Sequence, residues 1–167
     1  MRRRTDVDGS LSPVLMPGRI LEELSSHALE GKLEECCGLI VGDDRERYQR
    51  LVRCRNEMTQ RHERDPLRYP RDGTEAFYMN EHDYQRAQEE AEAEGLRVTA
   101  VYHSHVGGAA YLSTMDLEFA ESEWFPFPDA EHIVISLSNG AVSELGLFSR
   151  RGLDDVFRGR SLKALLP

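Results

Sequence analysis

Near the start of the chain, apolar residues recur at the spacing of a helix. These residues are Ile20, Leu21, Leu24 and Ala28. Positions three and four apart lie on the same side of a helix, so the spacing predicts an amphipathic helix over 18–30. Gly31 follows directly and is typical of a helix end.

Two further helices are predicted from their first residues. Asn80 can cap a helix because its side chain can accept a hydrogen bond from the first turn, and Asp83 follows three positions later. That helix is expected to run to about Glu94 and to end at Gly95. Another helix is expected to begin near Thr114, after a loop rich in glycine and alanine.

Short apolar runs between these helices predict strands. The runs are 36–41, 47–55, 77–79 and 96–102. Two longer runs, 131–138 and 141–149, flank Asn139-Gly140, which is a strong signal for a two-residue hairpin turn. The scattered apolar residues after 150 predict a short docked helix or an irregular tail.

Three other segments have a less regular pattern. Residues 1–16 are expected to form a flexible N-terminal arm, and no linker divides 17–167, which is expected to be one domain. Residues 56–75 are polar, contain Pro and Gly, and are predicted to form a long loop of the kind that is usually functional or disordered. The arginines in 47–55 are typical of a solvated strand edge; the alternative is a surface for an acidic partner.

The composition narrows the classes of function. The chain has 167 residues, of which 31% are charged and 40% are hydrophobic, a mixture typical of one soluble globular domain. A formal net charge of -9 provides no positive field for phosphates, so no nucleic-acid partner is expected. The chain has no run of about 18 apolar residues, so no membrane span is expected, and the expected location is cytoplasmic.

The cysteines do not predict a disulfide framework or a thiolate metal site. Cys36, Cys37 and Cys54 are odd in number, two of them are adjacent, and no CxxC pair occurs. They are therefore expected to be small, buried, apolar residues.

The residues that suggest chemistry lie between His103 and Asp116. His103 and His105 are two positions apart at the end of a predicted strand, where alternation directs both imidazoles to one face. Neutral imidazoles are common zinc ligands, and Asp116 can supply a third, oxygen ligand from the first turn of the next helix. Three protein ligands leave a fourth zinc position open, as catalytic sites require.

Each of these features also has an ordinary structural explanation. An isolated pair of histidines at this spacing is a weak signal for a metal. Ser113 and Asp116 have the spacing of a capping box, in which Asp116 only completes the start of a helix. The residues alone leave both interpretations open.

The pattern as a whole resembles the JAMM (MPN+) family of zinc metallopeptidases. HxH, seven residues and then SxxD match that family's motif, and LEECCGLIVG resembles its upstream E-x-C-G stretch. The register of that stretch selects Glu35 over Glu34. The resemblance covers roughly residues 17–149. One departure is Val106, which stands where the family usually has proline, so the rigidity of the following loop is in question more than metal binding.

The resemblance implies a role for each matching residue. His103, His105 and Asp116 would hold Zn²⁺, and Glu35 would act as the general base that later donates a proton to the leaving amine. Ser113 would donate a hydrogen bond to the oxygen of the scissile carbonyl group.

The resemblance also implies the fold and the reaction. The expected fold is α/β, a single MPN-like domain over 17–167 with a central mixed, mostly antiparallel sheet flanked by helices. The implied activity is that of a peptidase or isopeptidase acting after the Gly-Gly tail of a ubiquitin-like or sulfur-carrier protein, as in stand-alone prokaryotic members. The alternatives are an inactive MPN scaffold that serves as a binding module, and a small amidase acting on a non-protein substrate. Nothing in the residues indicates the oligomeric state.

Overall fold

Seven strands form a curled mixed sheet with helices against both of its faces. The computed structural model describes residues 3–31 and 33–166, which contain four helices and nine strands. The helices are α1 (Gly18–Gly31), α2 (Met58–Arg64), α3 (Glu81–Ala93) and α4 (Thr114–Glu121). The strands are β1 (Thr5–Asp6), β2 (Val14–Met16), β3 (Cys37–Gly42), β4 (Arg50–Cys54), β5 (Arg97–Val106), β6 (Tyr111–Leu112), β7 (Glu131–Ser138), β8 (Ala141–Ser149) and β9 (Arg158–Ala164).

The order of the strands places β5 inside the sheet. The seven-stranded sheet has the order β2-β9-β8-β7-β5-β3-β4, while β1 and β6 form a separate two-stranded sheet. The β2–β9 and β5–β7 pairs are parallel, and the other four pairs are antiparallel. The expected α/β fold with a mixed, mostly antiparallel sheet is therefore confirmed. In this sheet β5, the strand that carries both candidate histidines, has a hydrogen-bonded strand on each side.

Alternation along β5 divides its side chains between two faces of the sheet. Tyr102 belongs to the hydrophobic cluster that also contains Leu24 of α1. Val101 belongs to a second cluster, which includes residues of α3. His103 and His105 have the parity of Val101, so they face away from α1 and towards the side of the sheet that α3 and α4 cover.

The helices predicted from sequence are confirmed. On α1, the buried residues Ile20, Leu24 and Ala28 repeat at intervals of four. At the start of α3, the side chain of Asn80 accepts a hydrogen bond from Asp83 N at 2.9 Å, as its capping role predicts. Within the part of the chain that the structure describes, no helix combines the length and the apolar character needed to cross a membrane.

The hairpin predicted at Asn139-Gly140 is confirmed between β7 and β8. Asn139 has φ 52° and Gly140 has φ 74°, the left-handed conformation that both central residues of a type I′ turn adopt. Gly avoids the steric cost of that conformation, and Asn tolerates it better than most residues. The turn therefore sets the register in which β7 pairs with β8.

β4 is the edge strand of the sheet, as its arginines predicted. These arginines form ion pairs within the chain, namely Arg50 with Glu94, Arg53 with Glu30 and Arg55 with Asp83. Each of these three arginines therefore has an acidic partner within the chain. The three cysteines near β3 and β4 are buried and free, which confirms the sequence interpretation.

Two terminal segments differ from their predictions. Residues of the arm expected to be flexible over 1–16 instead form β1, which pairs with β6, and β2, which pairs with β9. The segment expected to be a helix or irregular tail contains β9, which pairs antiparallel with β8. β1 and β2 have only two and three residues, and they pair with β6 and β9, which are far away in sequence. β9 also pairs with the distant β2, and its sequence, RGRSLKA, has little apolar character.

The segment 56–79 also differs from its prediction. The loop expected over 56–75 contains α2, and the strand expected over 77–79 is reduced to a single bridge between Asn56 and Met79. Asn56 Oδ1 accepts a hydrogen bond from Met58 N at 2.9 Å and so supports the start of α2. Met58 is the buried residue of this helix, so α2 has no apolar repeat that the sequence could show.

The contact between α1 and the sheet predicts a difference between two leucines of the same helix. Leu24 is 0% exposed and Leu29 is 41% exposed. Leu24→Ala should lower the free energy of unfolding by about 2–5 kcal/mol, because it leaves a cavity in the core. Leu29→Ala, the matched control, should cost at most about 1 kcal/mol. Chemical denaturation measures both values, and equal losses would contradict the assignment of the buried face.

Candidate metal centre

The two histidines lie together because β5 continues beyond its predicted end at 102. Both side chains are buried, with 3% exposure for His103 and 8% for His105. β7 pairs with β5 at both histidines and β3 pairs with β5 at His103, so the backbone of both histidines is fixed by the sheet. Their Nε2 atoms are 3.2 Å apart, which confirms that alternation places both rings on one face.

Asp116 reaches the histidines from the first turn of α4. The predicted capping box is present, since Ser113 Oγ accepts a hydrogen bond from Asp116 N at 3.0 Å and Asp116 Oδ2 accepts one from Ser113 N at 2.9 Å. The same Oδ2 atom is 3.3 Å from His103 Nε2 and 3.4 Å from His105 Nε2. The capping interpretation and the ligand interpretation therefore do not exclude each other.

The spacing of these three atoms suits a zinc ion. The donor atoms of His103, His105 and Asp116 form a group that could hold a metal. Ligands bound tetrahedrally at about 2.0–2.1 Å from zinc lie about 3.3–3.4 Å from one another. The observed separations of 3.2, 3.3 and 3.4 Å are close to that value for all three pairs. The chemistry of the donor set, two imidazole nitrogens and one carboxylate oxygen, fits zinc as well.

Neighbouring groups hold both rings in position. His105 Nδ1 is 3.3 Å from the carbonyl oxygen of Ala109, which can only accept a hydrogen bond. Nδ1 therefore carries the proton, and Nε2 keeps its lone pair for a metal. The ring of His103 stacks on Phe77 with a centroid separation of 4.6 Å.

The loop after His105 is anchored despite its two glycines. Gly107 and Gly108 have φ 83° and 89°, which glycine adopts without strain. The anchoring hydrogen bonds are Gly107 N to Leu137 O, Ser136 Oγ to Gly108 O, and Ala110 N to Glu144 Oε2. These hydrogen bonds to β7 and β8 restrict the motion of the loop, although Val106 replaces the usual proline and two glycines follow it.

Burial and neighbouring charges shift the pKa values of His103 and Asp116. Burial lowers the pKa of His103, but the charge of Asp116, the hydrogen bond to Asp116 and the charge of Glu35 together outweigh burial, so the pKa is raised overall. Burial raises the pKa of Asp116, but His103 and His105 more than compensate, so its pKa is held well below the usual range. Asp116 is therefore an anion at neutral pH and can bind a cation.

Glu35 lies just before β3, on the same side of the molecule as the cluster. Its side chain is 6% exposed. Its pKa is raised to about 7, because burial and the nearby charge of Asp116 raise it by more than the charges of His103 and Arg71 lower it. Glu34 points elsewhere, since its Oε1 accepts a hydrogen bond from Thr59 Oγ1 at 2.8 Å. Of the two glutamates, only Glu35 lines the cavity that also contains Asp116.

Ser104 links Glu35 to the histidines. It lies between them in sequence, and alternation directs its side chain to the opposite face. There Ser104 Oγ accepts a hydrogen bond from Cys36 N at 2.8 Å, and Ser104 N donates to Cys36 O at 3.1 Å. Cys36 directly follows Glu35, so this fully buried serine sets the distance between Glu35 and the cluster.

A cavity of about 630 Å³ lies beside the candidate metal ligands. Among its lining residues are Glu35, His105, Ser113 and Asp116. Its other walls include residues that the sequence analysis did not single out, namely Arg71, Phe119 and Trp124. The unusual length of the segment 56–75 was the only sequence signal for Arg71, and nothing local distinguished Phe119 or Trp124.

The double role of Asp116 can be tested by separating its two functions. Asp116→Asn keeps an oxygen that can accept from Ser113 N but removes the negative charge. Zinc affinity should fall by at least roughly 10- to 100-fold, the loss typical of changes even outside the ligands. The unfolding free energy of the metal-free protein should change little. Metal titration and chemical denaturation measure the two effects.

Ser113→Ala is the matched control for that variant. It removes the cap and leaves the carboxylate, so it should cost about 0.5–2 kcal/mol of stability while zinc affinity is retained. Asp116 would be a cap only if Asp116→Asn bound zinc as wild type does and lost stability instead.

Comparisons with known proteins agree with this fold and site. The family model described as prokaryotic homologs of the JAB domain matches residues 17–145, a span that contains Glu35, His103, His105, Ser113 and Asp116. Comparison with curated proteins gives no match.

Two solved structures are similar over nearly their whole length. A protein from Desulfitobacterium hafniense has 20% sequence identity and a TM-score of 0.60, with 90% of this chain and 92% of that chain covered. A protein from Salinibacter ruber has 25% identity and a TM-score of 0.61, with 92% and 93% covered. Because the family model also spans well over half of the sequence, the chain belongs to the family of prokaryotic homologs of the JAB domain.

Proposed function

We propose that this chain is a zinc-dependent peptidase or isopeptidase. The observation that carries the proposal is the ligand group of His103, His105 and Asp116 at a cavity that also contains Glu35. A set of three ligands with an open fourth position, next to a buried carboxyl group, is the arrangement that metal-assisted hydrolysis requires. The JAB family includes metallopeptidases, which supports the same reaction class.

In this proposal, each residue of the site has a defined role. When bound, zinc supplies Lewis-acid polarisation of the scissile carbonyl group and of the attacking water. Glu35 accepts a proton from the water and passes it to the leaving amine, a role that suits a buried carboxyl group in the cavity beside the ligand group. Ser113 Oγ already accepts from Asp116 N, so its O–H group remains available to donate to the carbonyl oxygen as charge develops there.

The proposed substrate is the C-terminal tail of a ubiquitin-like or sulfur-carrier protein, cut after Gly-Gly. This part of the proposal rests on the resemblance to the JAMM family. The cavity volume of about 630 Å³ is within the usual range of ligand sites and suits a few residues of an extended tail. Glycines in the tail let its backbone approach the ligand group closely.

The direct test is hydrolysis of a carrier protein that extends one residue beyond Gly-Gly. The zinc-loaded chain should remove the extra residue, as measured by intact mass, and a chelator should stop the reaction. A carrier with Ala-Ala in place of Gly-Gly is the matched control and should be cut far more slowly. Zinc binding without any hydrolysis would favour an inactive binding module, and hydrolysis of small amides alone would favour an amidase.

Glu35 should separate catalysis from metal binding. Glu35→Gln keeps the size of the side chain but removes the proton acceptor, so the rate should fall by about 10²–10⁴. Zinc content should stay near that of the wild type, because His103, His105 and Asp116 are unchanged. Steady-state kinetics and metal analysis on the same preparation measure the two properties.

Glu34→Gln is the matched control for this variant. Glu34 is bonded to Thr59 and does not line the cavity, so its substitution should leave the rate nearly unchanged. Wild-type rates in Glu35→Gln would rule out its role as the base. If Glu34→Gln had a reduced rate and Glu35→Gln had the wild-type rate, Glu34 would be the base instead of Glu35.

A further inference from the structure

The segment 71–76, which the proposed mechanism does not use, forms a wall of the cavity beside Glu35. We propose that Arg71 on this wall binds the α-carboxylate of the leaving residue, so that the favoured substrate ends one residue after the scissile bond. This inference rests on the proposed function, because it assigns a specificity to the same site.

The wall is held against Glu35 by its backbone. Glu35 N donates a hydrogen bond to Gly73 O at 2.7 Å, and Gly73 N donates to Thr59 Oγ1 at 2.9 Å. A Cβ atom on Gly73 would meet Thr59 Oγ1 at 2.8 Å, so this close contact depends on glycine. Arg71 is two residues from Gly73, so the backbone that carries it is anchored next to Glu35.

Arg71 brings a positive charge without a partner into this cavity. The half-buried side chain lines the cavity that Glu35 also lines, and its charge lowers the pKa of Glu35. Within the described ranges, Arg71 has no ion pair and no side-chain hydrogen bond, unlike Arg53 and Arg55 on the sheet edge. A guanidinium group in that setting is suited to bind a carboxylate through two parallel hydrogen bonds.

The proposed proton transfer from Glu35 to the leaving amine indicates which part of a substrate lies near Arg71. Hydrolysis adds the hydroxyl group of water to the carbonyl carbon, and Glu35 delivers the proton to the amine nitrogen that leaves. The leaving residue must therefore lie on the Glu35 side of the scissile bond. The α-carboxylate of a terminal amino acid is two bonds from that nitrogen, whereas a lysine side chain leaving through its Nζ presents four methylene groups instead.

Glu75 provides an internal comparison on the same wall. It lines the cavity, is exposed and carries the opposite charge. Its effect on the pKa of Glu35 is opposite to that of Arg71 and smaller. Substitution of either residue changes the electrostatic potential at Glu35, but only the loss of a carboxylate-binding residue lowers the preference for a free acid over its amide.

The test compares two synthetic peptides, one ending in Gly-Gly-Ala with a free carboxylate and one with that carboxylate as an amide. For the zinc-loaded wild type, kcat/KM should be about 10- to 100-fold higher for the acid, the range expected for a hydrogen bond between charged groups. In Arg71→Gln this ratio should fall close to one. In Glu75→Gln it should rise, because a negative charge near the carboxylate is removed.

Equal kcat/KM values for acid and amide in the wild type would overturn the inference, as would an unchanged ratio in Arg71→Gln. In both cases peptide cleavage would persist, so the proposed function would stand while the specificity failed. A peptide in which Gly-Gly is joined to a lysine Nζ completes the comparison. Its faster cleavage relative to the Gly-Gly-Ala acid would assign an isopeptidase preference and reject the role of Arg71.

A binding measurement tests Arg71 even without turnover. Trp124 is the single tryptophan of the chain and lines the same cavity, so its fluorescence reports peptide binding there. In a Glu35→Gln background, the acid should bind about 10-fold or more tightly than the amide, and Arg71→Gln should abolish the difference. If the zinc-loaded wild type cleaved none of the peptides while this binding preference was present, the peptidase proposal alone would be rejected. Equal binding of acid and amide would reject the role of Arg71.

Discussion

One carboxylate oxygen, Asp116 Oδ2, joins the start of α4 to the end of β5. It accepts a hydrogen bond from Ser113 N at 2.9 Å and lies 3.3 and 3.4 Å from the Nε2 atoms of His103 and His105. These contacts bring three polar groups together in a buried place, where polar groups without partners would be costly. Any shift of α4 along the sheet would therefore move Asp116 Oδ2 away from the two Nε2 atoms.

The position of Glu35, the proposed general base, depends on a second set of hydrogen bonds, between Cys36 and Ser104. Glu35 is not hydrogen-bonded to the cluster through its backbone, but its neighbour Cys36 is bonded to Ser104, which lies between the two histidines in sequence. The histidines use one face of β5 and Ser104 uses the other. A single strand thus presents the metal ligands and also sets the distance to the group that transfers protons.

The segment from 56 to 79 determines the shape of the site more than the regular elements do. Asn56 Nδ2 donates to Glu35 O at 2.9 Å and to Ala76 O at 3.1 Å, which ties this segment to the strand entrance. Through Gly73 it supports Glu35, and through Phe77 it supports the ring of His103. Loops held by a rigid scaffold commonly carry specificity, and here that loop contributes the unpaired charge of Arg71 to the cavity.

What the sequence determined by itself were the features that depend on local spacing: the amphipathic face of α1, the Asn139-Gly140 turn, and two histidines on one face of a strand. The register of Glu35 and the roles of the site residues came from the resemblance to a known motif. Only the tertiary structure decided the pairing of β1, β2 and β9, the presence of α2, and the place of Arg71 beside Glu35. The physical reason is that these features rest on contacts between residues far apart in sequence, which no local periodicity records.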